Sequence, residues 1–271
     1  MAVGGASSPE RVFTSLRQEF DLDLMFRLYE GLERLGPGSA ASTARALALA
    51  GALPAGARIL DIGCGTGAQT LDLLRQCDCH VTAVDMHQPF LDSLMARAEG
   101  AGLASRVRTL CADMNALELP DGAYDVLWSE GAIYHMGFDV GLTQWRRLLR
   151  PEGVLVVSEM SWFVDSPPQD ALDFWREGYP QMRHENANAE AMERHGYELL
   201  GSFRLPVADW WDVYYADLTV RLEAFETLYG STEEGRAIID EQRREFDVMR
   251  RGGDSCGYVF YVARKHGQGV C

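Results

Sequence analysis

Residues 59 to 67 read Ile59-Leu60-Asp61-Ile62-Gly63-Cys64-Gly65-Thr66-Gly67, an apolar run that ends in an acid and then places glycine at every second position. Few backbones satisfy such a pattern. A short apolar run bounded by glycines reads as a buried strand, and the glycines let the chain turn sharply out of it with its N–H groups close to a ligand. The helix that follows from Gly67 directs the positive end of its dipole at the same point. The local fold is a strand, a tight turn and a helix, and the ligand this implies is nucleotide-like.

Gly63, Gly65 and Ala68 also fit the G-x-G-x-x-G/A spacing of a dinucleotide site, so the glycines alone leave the ligand open. Asp61 narrows it. A carboxylate two residues before the first glycine repels a pyrophosphate and favours a ligand with an ammonium and a sulfonium, both of which S-adenosylmethionine carries. Farther on, His80-Val81-Thr82-Ala83-Val84 reads as a second buried strand ending at Asp85, placed to accept hydrogen bonds from ribose hydroxyls. A nicotinamide dehydrogenase shares the glycines and that acid, but Asp61 and Asp113-Met114 argue against it.

The rest of the chain alternates in the same way. Strands read to Ile62, to Val84, over Val107 to Cys111, Asp125 to Ser129 and Val154 to Glu159, with helices from Gly67, from about Pro89 and over about Gly141 to Leu149. Such alternation demands a parallel sheet with helices on both faces. Ahead of it, Ser8-Pro9-Glu10 is a helix start, and Phe13, Leu16, Phe20, Leu24, Leu28, Leu32 and Leu35 give one or two helices with an apolar face. Gly36-Pro37-Gly38 breaks that pattern, and Ser39 caps a helix to about Leu53. After the alternating region come an insertion, a strand over Tyr197 to Leu205, a helical pair and a last strand over Cys256 to Ala263.

These segments resemble the class I S-adenosylmethionine-dependent methyltransferases, over roughly residues 36 to 160. Asp61 to Gly67 corresponds to the family's glycine loop, Asp85 to its ribose-binding acid, and Cys111-Ala112-Asp113-Met114 to the stretch whose Asp takes the adenine amino group. Tyr124 to Ser129 corresponds to the fourth strand, and Leu148-Leu149-Arg150-Pro151-Glu152-Gly153-Val154-Leu155 to the turn and fifth strand. Within the family, Gly36-Pro37-Gly38-Ser39, Ser129-Glu130-Gly131-Ala132-Ile133-Tyr134, Glu159-Met160-Ser161-Trp162 and Tyr258-Val259-Phe260-Tyr261 are similar to a group of uncharacterised bacterial enzymes acting on small molecules. The fold class implied is α/β: a Rossmann-like doubly wound sheet, mostly parallel with an antiparallel C-terminal edge strand. Residues 1–53 are expected to be helices covering the cofactor site, 54–160 and 197–265 the core with a helical pair over 208–251, and 161–196 an insertion forming part of a substrate lid.

The resemblance implies S-adenosylmethionine as cofactor, S-adenosylhomocysteine as product, and methyl transfer to a small acceptor whose identity and reacting atom it leaves open. Transfer from a sulfonium requires in-line approach, so positioning supplies most of the catalysis and few reactive side chains are needed. The expected cofactor-binding residues are Ser39, Asp61, Gly63, Gly65, Gly67, Asp85, Met86, Asp113, Met114, Ser129 and Glu130. Glu130 follows the fourth strand and is a candidate either for the acceptor side or for orienting the cofactor's ammonium. Tyr134 and His135 are the next catalytic candidates, because an imidazole can serve as base near neutral pH.

Four of the six tryptophans lie between residues 161 and 215. With Phe163, Phe174, Tyr179, Tyr214 and Tyr215 they either wall a substrate lid or hold inserted helices to the sheet, with Trp162 and Tyr179 the expected wall residues and Phe174 structural. A net charge of -15 argues against nucleic acid or a lipid surface as main partner. The N-terminus lacks signal-peptide character and the six scattered cysteines read as reduced thiols, so the expected location is cytoplasmic. Cys77-Asp78-Cys79-His80 lacks a second ligand pair, and no metal is expected. The alternatives kept are a non-catalytic cofactor-binding or regulatory protein, and a metalloid methyltransferase using Cys64, Cys111 and Cys256. Against the latter, Cys64 lies inside the loop and Cys111 on a strand read as buried. Oligomeric state is not legible.

Overall fold

The computed structural model describes residues 22–266, so the helix start at Ser8 to Glu10 and Cys271 lie outside the described residues. Among the described residues two helices come first, α1 (Leu22–Tyr29) and α2 (Ala40–Ala50), the second capped by Ser39 as its sequence suggests. Then follow β1 (Ala57–Ile62), α3 (Ala68–Gln76), β2 (Cys79–Asp85), α4 (Gln88–Gly100), β3 (Val107–Cys111), β4 (Tyr124–Ser129), α5 (Phe138–Trp145) and β5 (Leu149–Trp162). The insertion holds α6 (Gln169–Gly178), the two-residue β6 (Arg183–His184) and α7 (Glu185–Arg194). The chain closes with β7 (Tyr197–Arg204), a π-helical stretch over Asp209–Tyr215, α8 (Ala216–Tyr229), α9 (Glu233–Gly252) and β8 (Cys256–Lys265).

The strands form one sheet in the order β3-β2-β1-β4-β5-β8-β7, with β6 beside the end of β5. β1 to β5 run parallel, and β8 lies antiparallel between β5 and β7. Successive residues point to opposite faces, which divides the core. Ile59, Val81, Val126 and Val156 pack on one face with Leu71, Leu74, Leu91 and Leu94 of α3 and α4. Leu60, Ile62, Leu127, Leu155 and Val157 pack on the other with Phe138, Leu142 and Trp145 of α5 and Met192 of α7.

Three sequence readings are corrected. Helix α5 begins at Phe138, not near Gly141: Gly137 turns into it at φ 86° and its carbonyl accepts from the Gly141 amide at 2.9 Å, so Gly141 already lies in the first turn. Strand β5 extends beyond both ends of Val154 to Glu159. Its Pro151-Glu152-Gly153 turn is absorbed as a register shift against β4, with Glu152 at φ 59°, and β8 pairs with it as far as Trp162. Cys111 is exposed, because β3 is an edge strand. No helix among the described residues is long and apolar enough to cross a membrane.

Candidate cofactor and acceptor site

The turn after β1 is built on positive φ angles at Gly63 (74°), Gly65 (53°) and Gly67 (78°). None of the three has room for a side chain: a Cβ on Gly63 would collide with Ala132, one on Gly65 with Leu35 and one on Gly67 with Leu94. The Gly63 and Cys64 amides both donate to the Val84 carbonyl, each at 2.9 Å, which anchors the loop to β2. Beneath it, Asp61 is fully buried and accepts from Thr70 Oγ1 at 2.5 Å and Gln69 Nε2 at 3.3 Å. Burial pushes its carboxyl up to about 7, the negative charges of Glu130 and Asp85 add to this, and the Thr70 and Gln69 hydrogen bonds oppose it.

Asp85 closes the loop from the other side. Its Oδ2 accepts from the Gly65 amide at 2.9 Å and its Oδ1 from the His87 amide at 2.9 Å. Burial raises its carboxyl while these two N–H groups hold it down. Each carboxylate oxygen retains a further lone pair. Met86 beside it is 59% exposed, an unusual position for methionine. Asp113 is exposed and its Oδ1 accepts from Asn115 through both backbone (2.9 Å) and side chain (2.8 Å). Met114 reaches back so that its Cε lies 3.4 Å from where a Gly63 Cβ would be. Thus Asp85 and Met114 gather around the glycine loop, with Met86 next to Asp85 in the chain.

Glu130 is engaged on both oxygens. Oε2 pairs with Arg34 Nη1 at 2.8 Å, and Oε1 accepts from Thr43 Oγ1 and Trp128 Nε1, each at 2.9 Å. Arg34 also reaches Asp72 at 3.2 Å. Gly38 packs so closely on this pair that a Cβ would lie 2.8 Å from Arg34 Nη1. Ser39 caps α2 and donates to Asp209 Oδ2 at 2.9 Å, an oxygen shared with Ser42 Oγ at 2.5 Å. Ser129 Oγ donates to the Ile62 carbonyl at 2.9 Å and ties β4 to β1. Arg34, Thr43 and Asp209 had no motif to announce them; their role exists only because the segment before α2 folds over β4.

After β4, Tyr134 and His135 share a 3-10 turn with ring centroids 4.0 Å apart, and Tyr179 meets Tyr134 edge-on at 5.8 Å. Trp210 stacks on Tyr258 at 5.3 Å, whose hydroxyl lies 3.3 Å from the space above Gly131. Phe174, Trp210, Tyr214 and Tyr215 are buried in packing clusters, whereas Trp162 is half-buried. Glu159, near the carboxyl end of β5, is 1% exposed, and neither of its oxygens has a hydrogen-bond partner. Burial pushes it up to about 8, against the opposing influence of the Tyr179 hydroxyl and the Arg183 charge. Its signal in the sequence is an acid two residues after the apolar run Val154 to Val157.

Cys64 and Cys256 are buried, which raises both thiols, the latter to about 11. No group of three His, Cys, Asp or Glu residues positioned to hold a metal occurs among the described residues.

Residues 59–153, from β1 into β5, match the family described as methyltransferase domain. Over that stretch the chain resembles a methyltransferase domain. Among characterised proteins, this domain is similar to 27-O-demethylrifamycin SV methyltransferase of Amycolatopsis mediterranei, 36% identical over 123 residues, which is 44% of each chain. The chain therefore spans less than half the length of that relative. In solved structures, the methyltransferase fold recurs in a methyltransferase from Geobacter sulfurreducens in complex with S-adenosylhomocysteine (TM-score 0.75, 20% identity, 89% of this chain and 97% of that one). It recurs also in the [4+2]-cyclase SpnF (TM-score 0.71, 22% identity, 90% and 92%).

Proposed function

We propose that the protein transfers a methyl group from S-adenosylmethionine to a small-molecule acceptor and releases S-adenosylhomocysteine. The observation that carries this reading is the frame of the glycine loop: amides pinned by Asp85, with free lone pairs on that carboxylate for two ribose hydroxyls. Asp61 lies beneath the loop, out of easy contact, and its carboxylate form is the one that favours the cofactor's ammonium and sulfonium. Met86 and Met114 flank the adenine, with Asp113 at its amino group. Tyr134, His135, Trp162 and Tyr179 lie towards the acceptor.

Glu130 we assign to positioning ahead of proton transfer, because three donors already hold it. Ser39 and Ser129 act in the same way, through the loop before α2 and through the β1–β4 junction. Residues 161–196 and the helices before residue 53 form the lid, and the acidic charge favours small, non-nucleic-acid acceptors in the cytoplasm. When bound, the cofactor supplies the activated methyl group; the chain supplies orientation and exclusion of water.

The deciding experiment has two parts. Calorimetry should show S-adenosylhomocysteine binding and no NAD binding. Methyl-labelled S-adenosylmethionine incubated with the protein and a fractionated metabolite pool should then yield a labelled product. Binding without any label transfer would favour a non-catalytic role, and NAD binding alone would sink the assignment.

A further inference from the structure

A buried carboxyl normally finds donors, because leaving it without them costs the folded state several kcal/mol. Glu159 has none in full hydrogen-bond geometry; the Tyr179 hydroxyl beside it is near enough to favour its charge without completing a bond. On the same face of β5, Ser161 Oγ meets Tyr261 Oη at 3.2 Å and accepts from Asn188 Nδ2 at 3.0 Å, while Arg183 Nε donates to Asn188 Oδ1 at 3.0 Å. Arg183 Nη1 pairs with Asp139 at 2.9 Å, and Tyr261 also donates to the Glu185 carbonyl at 3.0 Å. That network satisfies its own members and passes the Glu159 carboxyl by. The carboxyl sits near the end of the strand, where open α/β sheets bind their ligands, beside Tyr179 and through it Tyr134 and His135.

Resting on the methyl-transfer reading, we infer that Glu159, with the Tyr179 phenol beside it, forms the acceptor subsite: its carboxylate accepts a hydrogen bond from an N–H or O–H on the acceptor and takes that proton as the methyl group arrives. The acceptor's nitrogen or oxygen lone pair forms the new bond to the methyl carbon, the C–S bond breaks with its electron pair remaining on sulfur, and the proton passes to Glu159 and later to solvent. The acceptor class is an amine, phenol or alcohol with that group adjacent to aromatic rings. An acceptor with a carboxylate or phosphate at this point is repelled. The charged and titratable groups that bear on Glu159 are Tyr179, Arg183, Asp139 and Tyr261. Its carboxyl, raised to about 8 by burial, must be ionised to act, so the rate of methyl transfer should climb with pH up to that value.

The test compares the wild type with Glu159→Gln and Tyr179→Phe. All three should bind S-adenosylhomocysteine equally in calorimetry. Methyl-labelled S-adenosylmethionine is then offered with a panel of small amines, phenols and alcohols, and with the same compounds after every N–H and O–H has been methylated. Label should enter only the first panel. Glu159→Gln should lower transfer about 100-fold or more and flatten the pH profile, while Tyr179→Phe should lower it less and keep the profile. Undiminished transfer by Glu159→Gln, equal labelling of the blocked panel, or no labelling of either panel by a wild type that binds S-adenosylhomocysteine overturns the inference and leaves the cofactor assignment standing. Loss of S-adenosylhomocysteine binding in Glu159→Gln alone would make the carboxyl structural and overturn it too. A wild type that binds no S-adenosylhomocysteine removes the methyl-transfer reading itself.

Discussion

At the residue scale, the Asp85 carboxylate holds the Gly65 and His87 amides, and in the proposed function its remaining lone pairs take the ribose hydroxyls. Asp85→Ala should therefore weaken S-adenosylhomocysteine binding by at least about tenfold, since each hydrogen bond to a charged group contributes about 1.5–3 kcal/mol. It should also speed hydrogen exchange at the two freed amides; a folded variant with unchanged affinity would refute the role given to the end of β2. Arg34 and Glu130 offer a second test. Their side chains are almost fully buried, so Arg34→Met leaves a carboxylate facing its remaining donors without a counter-charge, a loss of about 3–5 kcal/mol. Adding Glu130→Gln should recover much of it in urea unfolding, and no recovery would show that Arg34 acts through packing or Asp72. Asp85 was readable from its place at a strand end, whereas the Arg34–Glu130 pair spans 96 positions of chain and leaves no local trace.

At the element scale, the segment from Glu33 to Ser39 is fastened at several points. Thr66 Oγ1 and Arg97 both donate to the Glu33 carbonyl, Arg97 also reaches the Thr66 carbonyl, and Ser39 is held by Asp209 at the head of the π-helical stretch. The glycine loop, the entry to α2 and the aromatic region are thus mechanically linked. Binding of S-adenosylhomocysteine should slow hydrogen exchange at Tyr29 to Ser39 and near Trp162 and Tyr179, as well as in residues 61–67. Protection confined to the glycine loop, Asp85 and Asp113 would make the insertion a structural buttress. Element positions were largely legible, because strand runs and capping signals are local: β3 begins and ends where its sequence says. Misreadings arose where a neighbour decides, as at Cys111, exposed because no further strand among the described residues pairs beyond β3.

For the whole molecule, two buried carboxyls work against stability as pH rises. Asp61, at about 7, and Glu159, at about 8, lie above their ordinary values, so the folded state holds protons that the unfolded state has released. Their favourable contribution is complete below about pH 4 and is lost as pH climbs through 7 to 8, at about 1.4 kcal/mol per group and pH unit between the two values. The -15 net charge acts in the same direction by self-repulsion. The urea midpoint should fall between pH 5.5 and 8.5, and Asp61→Asn should shrink that fall; a flat profile would mean that neither carboxyl is raised. The sequence by itself determined the strand and helix alternation, the glycine turn and the acid at the end of β2, because hydrophobic period, backbone freedom and strand ends are properties of neighbouring residues. Tertiary structure decided that Glu130 is held fast while Glu159 completes no hydrogen bond: both are acids near strand ends, and beyond the Trp128 indole of its own strand it is Thr43 of α2 and the Arg34 segment that satisfy Glu130.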